Sequence, residues 1–127
     1  MPRFNQAAPT FLVNDVEGTV RWYEKQLGFT VYPHPKDPPH VFASICRDGV
    51  EIMFQRADGY RKPDLYEARP GGVWDAYIRI QGIAELYEAL KDRVEIKMPL
   101  SRQPYGDSEF EVKDPNGYIL VFSEQID

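Results

Sequence analysis

Two carboxylates fall at strand positions where an acidic group needs a reason. In "VEIMFQ", Val50, Ile52 and Phe54 form one apolar row by strand alternation, so Glu51 shares the other face with Met53 and Gln55. In "VWDAYIRI" the apolar row is Trp74, Ala76, Ile78 and Ile80, which leaves Asp75 with Tyr77 and Arg79 on the opposite side. A carboxylate removed from water is costly, so each must meet solvent, a cation or a proton. Together Glu51 and Asp75 could form an acidic floor for a positively charged ligand. At about 5 Å and an effective dielectric of about 20, each would contribute roughly 3 kcal/mol before desolvation is subtracted. The structural alternative is that Glu51 simply pairs with Arg79 or Arg47.

Aromatic side chains supply the other half of such a site. Phe42, Tyr77, Phe110 and Tyr105 can offer flat faces to a planar ligand, each contact adding roughly 0.5–1.5 kcal/mol, although strand aromatics also serve as core. Across a turn at Asp48-Gly49, Cys46 should lie beside Glu51, Ser44 beside Met53 and Phe42 beside Gln55. The candidate ligand-binding set is therefore Phe42, Ser44, Glu51, Met53, Asp75, Tyr77, Tyr105 and Phe110. No residue is assigned a catalytic role. Cys46 has no histidine placed to activate it, and as the sole cysteine it can form neither an internal disulfide nor a thiolate cage. His34 and His40, the only histidines, sit in the proline-rich "PHPKDPPH" and are expected to be solvated.

The elements that must position these groups are legible twice over. "PTFLV" is a short strand, and Asp15 is a plausible N-cap for a helix that puts Val16, Val20, Tyr23 and Leu27 on one stripe and stops at Gly28. A strand near Phe29 to Tyr32, the proline loop and the hairpin "VFASICRDGVEIMFQ" follow, giving β-α-β-β-β. The second half repeats the order with "VWDAYIRI", a helix carrying Ile83, Leu86, Tyr87 and Leu90 on one face, "VEIKM", the loop "PLSRQPYGD" and the hairpin "FEVKDPNGYILVF". An offset of 68 maps Phe42 on Phe110, Gly49 on Gly117, Ile52 on Leu120 and Phe54 on Phe122. The expected organisation is one domain over 1–127, with a first module at 4–58, a linker at 59–72 and a second module at 73–127. Alternation also turns Ala8, Thr10 and Leu12 of the first strand, and Ile119, Val121 and Ser123 of the last, toward the open face.

Composition narrows the partners. A net charge of −5 with no basic cluster beyond Arg61-Lys62 argues against nucleic acid, and 43% hydrophobic residues are enough for a core. No apolar run reaches the roughly 20 residues needed to span a bilayer, and no signal-peptide pattern opens the chain, so a cytoplasmic protein without a membrane partner is expected.

The stretches "FLVNDVEGTVRWYEKQLGF" and "DPNGYILVF", set in a duplicated β-α-β-β-β unit, resemble the vicinal oxygen chelate superfamily of glyoxalase I, extradiol dioxygenases and bleomycin resistance proteins. The resemblance implies an α+β fold in which two paired βαβββ modules curl a mixed sheet around a cleft, commonly in a homodimer. In the metal-dependent relatives, ligands come from four strand positions that correspond to Ala8, Met53, Asp75 and Val121 in this sequence. Only Asp75 could bind a hard cation, so neither a metal nor another cofactor is expected. Tyr105, in "QPYG", resembles an aromatic residue bordering the drug groove of bleomycin resistance proteins. The expectation is a metal-free protein that sequesters a cationic, partly aromatic small molecule, such as a bleomycin-like antibiotic or a metabolite. The alternative is a metal-dependent lyase, isomerase or dioxygenase with relocated ligands drawn from Glu51, Asp75 and His34 or His40. A third reading is an interaction module with no small ligand.

Overall fold

A computed structural model of the chain describes residues 1–69 and 72–125. It comprises two compact units, Met1–Tyr60 and Arg61–Asp127, each a βαβββ module, and the fold is α+β.

In the first module β1 (Thr10–Val13) leads into α1 (Val16–Leu27), followed by β2 (Thr30–His34), β3 (Phe42–Arg47) and β4 (Val50–Arg56). The sheet order is β1-β4-β3-β2, with β1 parallel to β4 and the other pairs antiparallel. Both ends of α1 follow the sequence signals. The Asp15 carboxylate accepts from the Gly18 amide at 3.0 Å, and Gly28 takes the left-handed conformation at φ 70° that lets its amide close the last turn. The helical stripe Val16, Val20, Tyr23 and Leu27 is buried against Phe11, Val13, Ala43, Ile45, Ile52 and Phe54. Tyr23 and Phe54, both fully buried, meet at 5.1 Å between ring centroids. Pro33 lies inside β2, where the sequence suggested only loop; β2 is an edge strand, the place where a missing N–H is tolerated.

The second module has β5 (Ala76–Arg79), α2 (Ile83–Leu90), β6 (Glu95–Arg102), β7 (Asp107–Lys113) and β8 (Ile119–Gln125), in the order β5-β8-β7-β6. No serine, threonine or aspartate precedes α2; the Glu124 carboxylate of β8 instead accepts from the Gly82 and Ile83 amides at 3.3 and 3.0 Å. The expected loop "PLSRQPYGD" is half strand, because β6 continues through Pro99 to Arg102 with register shifts after Ile96 and Met98. It too is an edge strand.

The hairpins of the two modules differ in one respect that matters for the site. β3 and β4 join through Asp48-Gly49 alone, Arg47 facing Val50, whereas β7 and β8 join through five residues, Lys113 facing Ile119. In the longer turn the Asp114 carboxylate accepts from the Asn116 and Tyr118 amides at 2.8 and 2.9 Å. The offset of 68 therefore holds along β4 and β8, where Phe54 and Phe122 face Ala43 and Phe110 respectively. Along β3 and β7 it is one residue shorter: Ala43 corresponds to Phe110 and Phe42 to Glu109. A one-residue difference exchanges the two faces of a strand.

Candidate functional site

Each sheet has one face on its helix and one helix-free face. In the first module the expected pairs are in place: Cys46 faces Glu51, Ser44 faces Met53, and Phe42 faces Gln55. β1 extends the same face, Thr10 beside Met53 and Leu12 beside Gln55. Glu51 pairs with neither arginine proposed for it. Its carboxylate accepts from Ser44 Oγ and Gln6 Nε2, both at 2.5 Å, while Arg47 donates to the Leu27 carbonyl at 2.7 Å and Arg79 to Asp107 at 2.8 Å. Phe42 stays on this face, 37% exposed, its ring stacked on His34 at 5.2 Å. His40 departs from the solvated loop expected of it. It is buried, its Nδ1 lies 2.8 Å from the Pro35 carbonyl, and its amide donates to Glu17.

In the second module the helix-free face is more densely charged than its sequence suggested. Phe110 is not on it: fully buried, it stacks on Phe122 at 5.2 Å and meets Tyr87 of α2 edge-on at 5.1 Å. In its place the shorter offset brings Asp107, Glu109 and Glu111, which sequence reasoning missed. The signal was the alternation of acids with Ser108, Phe110 and Val112 in "DSEFEV". One row across the sheet is Met98, Glu111, Val121 and Tyr77; the next is Ser101, Glu109, Ser123 and Arg79. Glu109 and Glu111 are each 1% exposed.

A hydrogen-bonded chain joins most of these groups. Tyr77 Oη donates to Glu109 and lies 2.9 Å from Ser123 Oγ; Tyr105 Oη donates to Glu109 at 2.7 Å; Ser123 Oγ donates to Asp107 at 3.2 Å. Burial, reinforced by the hydrogen bonds to Glu109, pushes both phenols above their ordinary pKa, Tyr105 furthest. Burial also pushes the Asp107 carboxyl up, but Arg79 and Ser123 outweigh it and hold the group below the usual carboxylate value. Tyr77 carries the Arg79 guanidinium over its ring at 5.4 Å.

Residues before β5 cover part of this face. Tyr66 Oη donates to the Lys97 carbonyl at 3.3 Å, and Trp74 packs on Tyr77 at 5.1 Å. Trp74 thus leaves the apolar row in which alternation placed it, because regular strand begins only at Ala76. Asp75 accepts from the Ile119 amide at 2.8 Å and from Lys62 Nζ at 3.3 Å, in an ion pair whose lysine side chain is 9% exposed. Its carboxylate is committed to holding β5 and the Lys62 segment on β8.

The four positions that correspond to the ligands of metal-dependent relatives do not fit a divalent ion. Ala8 and Val121 carry no donor atom, Met53 offers a soft thioether, and Asp75 is already neutralised by Lys62. Among the described residues no three His, Cys, Asp or Glu side chains gather into a group suited to a metal. No helix among them is long and apolar enough to cross a membrane.

Comparison with known proteins bears on what such faces serve. The family model described as Glyoxalase/Bleomycin resistance protein/Dioxygenase superfamily matches residues 3–122. Bleomycin resistance proteins of Geobacillus stearothermophilus and Staphylococcus aureus are 26% identical over 132 residues, spanning 95% of this chain and 97% of theirs. Among solved structures, TioX from Micromonospora sp. ML1 superposes with a TM-score of 0.76 at 17% identity, covering 97% of this chain and 100% of its own. The bleomycin-binding protein of Streptomyces verticillus, complexed with copper(II)-bleomycin, gives 0.71 at 22% identity and covers both chains fully, at 100% each.

Proposed function

The chain belongs to the Glyoxalase/Bleomycin resistance protein/Dioxygenase superfamily, and we propose that it is a metal-free binding protein that sequesters a cationic, partly aromatic small molecule. The observation that carries this reading is the donor chemistry at Ala8, Met53, Asp75 and Val121, which gives Lewis-acid catalysis no protein cage to work from. What remains on the helix-free faces suits binding: Glu51, Met53, Ser44 and Phe42 in one module, Tyr77, Tyr105, Glu109 and Arg79 in the other. Glu51 leans on Gln6 and Ser44 and Glu109 on two phenols, all of them neutral donors, so a ligand cation would meet negative charge that no ion pair already takes up at these two groups. Aromatic rings at the rim supply area at low entropic cost.

The relatives in hand include bleomycin resistance proteins and a bleomycin-binding protein, which makes a bleomycin-type glycopeptide the first ligand to try. A homodimer with clefts shared between subunits, in the cytoplasm, belongs to the same proposal. Sequestration requires stoichiometric, tight and chemically silent association. Calorimetric titration with metal-free bleomycin should give saturable binding, with the ligand recovered unchanged after denaturing the protein. Silence at high micromolar ligand would remove the antibiotic reading. One equivalent of a divalent metal per chain, found by elemental analysis of protein purified without chelator, would favour the lyase or dioxygenase alternative instead.

A further inference from the structure

We propose that Glu111 is the group that receives the ligand's positive charge, its Oε1 accepting an N–H from a protonated amine or amidine on the helix-free face of the second module. This rests on the binding reading above and assigns it a residue. Glu111 sits mid-strand in β7, between Met98 of β6 and Val121 of β8, with its side chain turned away from α2. The residue is 1% exposed, and among the described residues Oε1 meets no hydrogen-bond donor. Glu111 interacts with the Trp74 indole N–H and with the Tyr66 hydroxyl, whose one proton is shared with the Lys97 carbonyl; both partners are neutral, and among the described residues the charge acting on it is that of Glu109, which has the same sign. Desolvation and that repulsion push its carboxyl above the usual range.

The other carboxylates of the face show how unusual this is. Asp107 has Arg79, Asp75 has Lys62, and Glu109 has two phenols. A buried acceptor left without a donor costs free energy that a partner from outside would recover. The surroundings also specify the partner. A cation is wanted, because no described residue supplies one to Glu111; an N–H donor is wanted, because an acceptor oxygen is idle; and a flat or compact group is wanted, because Tyr66, Trp74 and Met98 are the neighbours that would border it. Trp74, 47% exposed, is the side chain at the solvent boundary of this spot and the natural reporter of entry.

The test uses benzamidinium and its neutral counterpart benzamide as probes, with the indole N–H of Trp74 followed in nitrogen-15 spectra of the full chain. Benzamidinium should shift that resonance saturably and benzamide should not. Glu111→Gln should weaken benzamidinium tenfold or more, while Glu88→Gln, on the outer surface of α2, leaves it unchanged. Equal binding of the two probes to the native chain overturns the assignment even if Glu111→Gln fails to fold. So does undiminished benzamidinium binding by a folded Glu111→Gln. If neither probe binds but bleomycin does, the assignment falls and the binding reading stands. If bleomycin also fails, both fall.

Discussion

On the helix-free face of the first module Tyr32 is 58% exposed, Phe42 37% and Leu12 40%, and the central acid, Glu51, leans on neutral Gln6 and Ser44. On the corresponding face of the second module Glu109 and Glu111 are each 1% exposed beneath tyrosines and Trp74. The scaffold is the same order of strands around the same helix; the chemistry is not. The difference traces to the hairpins: two residues at Asp48-Gly49 and five at Asp114 to Tyr118. The longer turn moves Phe110 under the sheet and brings an alternating row of acids onto the face where the first module keeps Phe42 and Ser44. A duplicated fold can thus divide its labour without moving an element, since a turn of different length re-addresses a whole strand.

The largest effect expected from breaking this comparison is on stability. Phe110→Ala should cost about 3–5 kcal/mol, as for any large aromatic removed from a closed core. Phe42→Ala, its partner under the simple offset, should cost less than about 1 kcal/mol because its ring is partly solvated. Denaturant midpoints of the two variants measure the difference, and equal losses would mean that the register assigned to β7 is wrong.

Next in size are opposed responses to pH within the second module. Asp107 is held below its ordinary value in the fold, so its contribution is present above the unfolded carboxylate pKa and is lost as pH falls through the folded value. Glu111 is raised, so its contribution is full below the unfolded pKa and is lost as pH rises through the folded one. Accordingly Asp107→Asn should lower the melting temperature at pH 7 and lose that deficit on acidification. Glu111→Gln should raise it at pH 8 and give no gain at pH 4. Thermal melts across that window would separate the two; the same sign for both variants at pH 8 would contradict the environments described for them.

Smaller still is the effect of single hydroxyls. Tyr105→Phe removes one of the two donors to Glu109 and should cost about 0.5–1.5 kcal/mol. Tyr32→Phe, on the exposed strand β2 of the first module, should stay within about 0.5 kcal/mol of the native chain.

What the sequence made legible was whatever local chemistry decides. The caps Asp15 and Gly28, the stripe from Val16 to Leu27, and the pairing of Cys46, Ser44 and Phe42 with Glu51, Met53 and Gln55 all follow from signals within a few residues. Phe110 was misplaced because "DPNG" reads as a tight turn, while Asp114 uses its own carboxylate to build a longer one. The partners of Asp75 escaped for another reason. "ADGYRKPDLYEARPGG" has the composition of a linker, and nothing in polar, glycine-rich and proline-rich sequence announces that Lys62 and Tyr66 will settle on the second sheet. Side-chain commitments across 13 to 31 positions are tertiary facts, and propensity does not encode them.

Pro33 in β2 and Pro99 in β6 occupy equivalent borders of the two sheets. Neither can offer an amide hydrogen to an incoming chain, and the shifted register of β6 disrupts the regular row a foreign strand would need. Those two margins are therefore poor templates for strand addition, which lowers the risk of seeding fibrils from them even where the protein is concentrated.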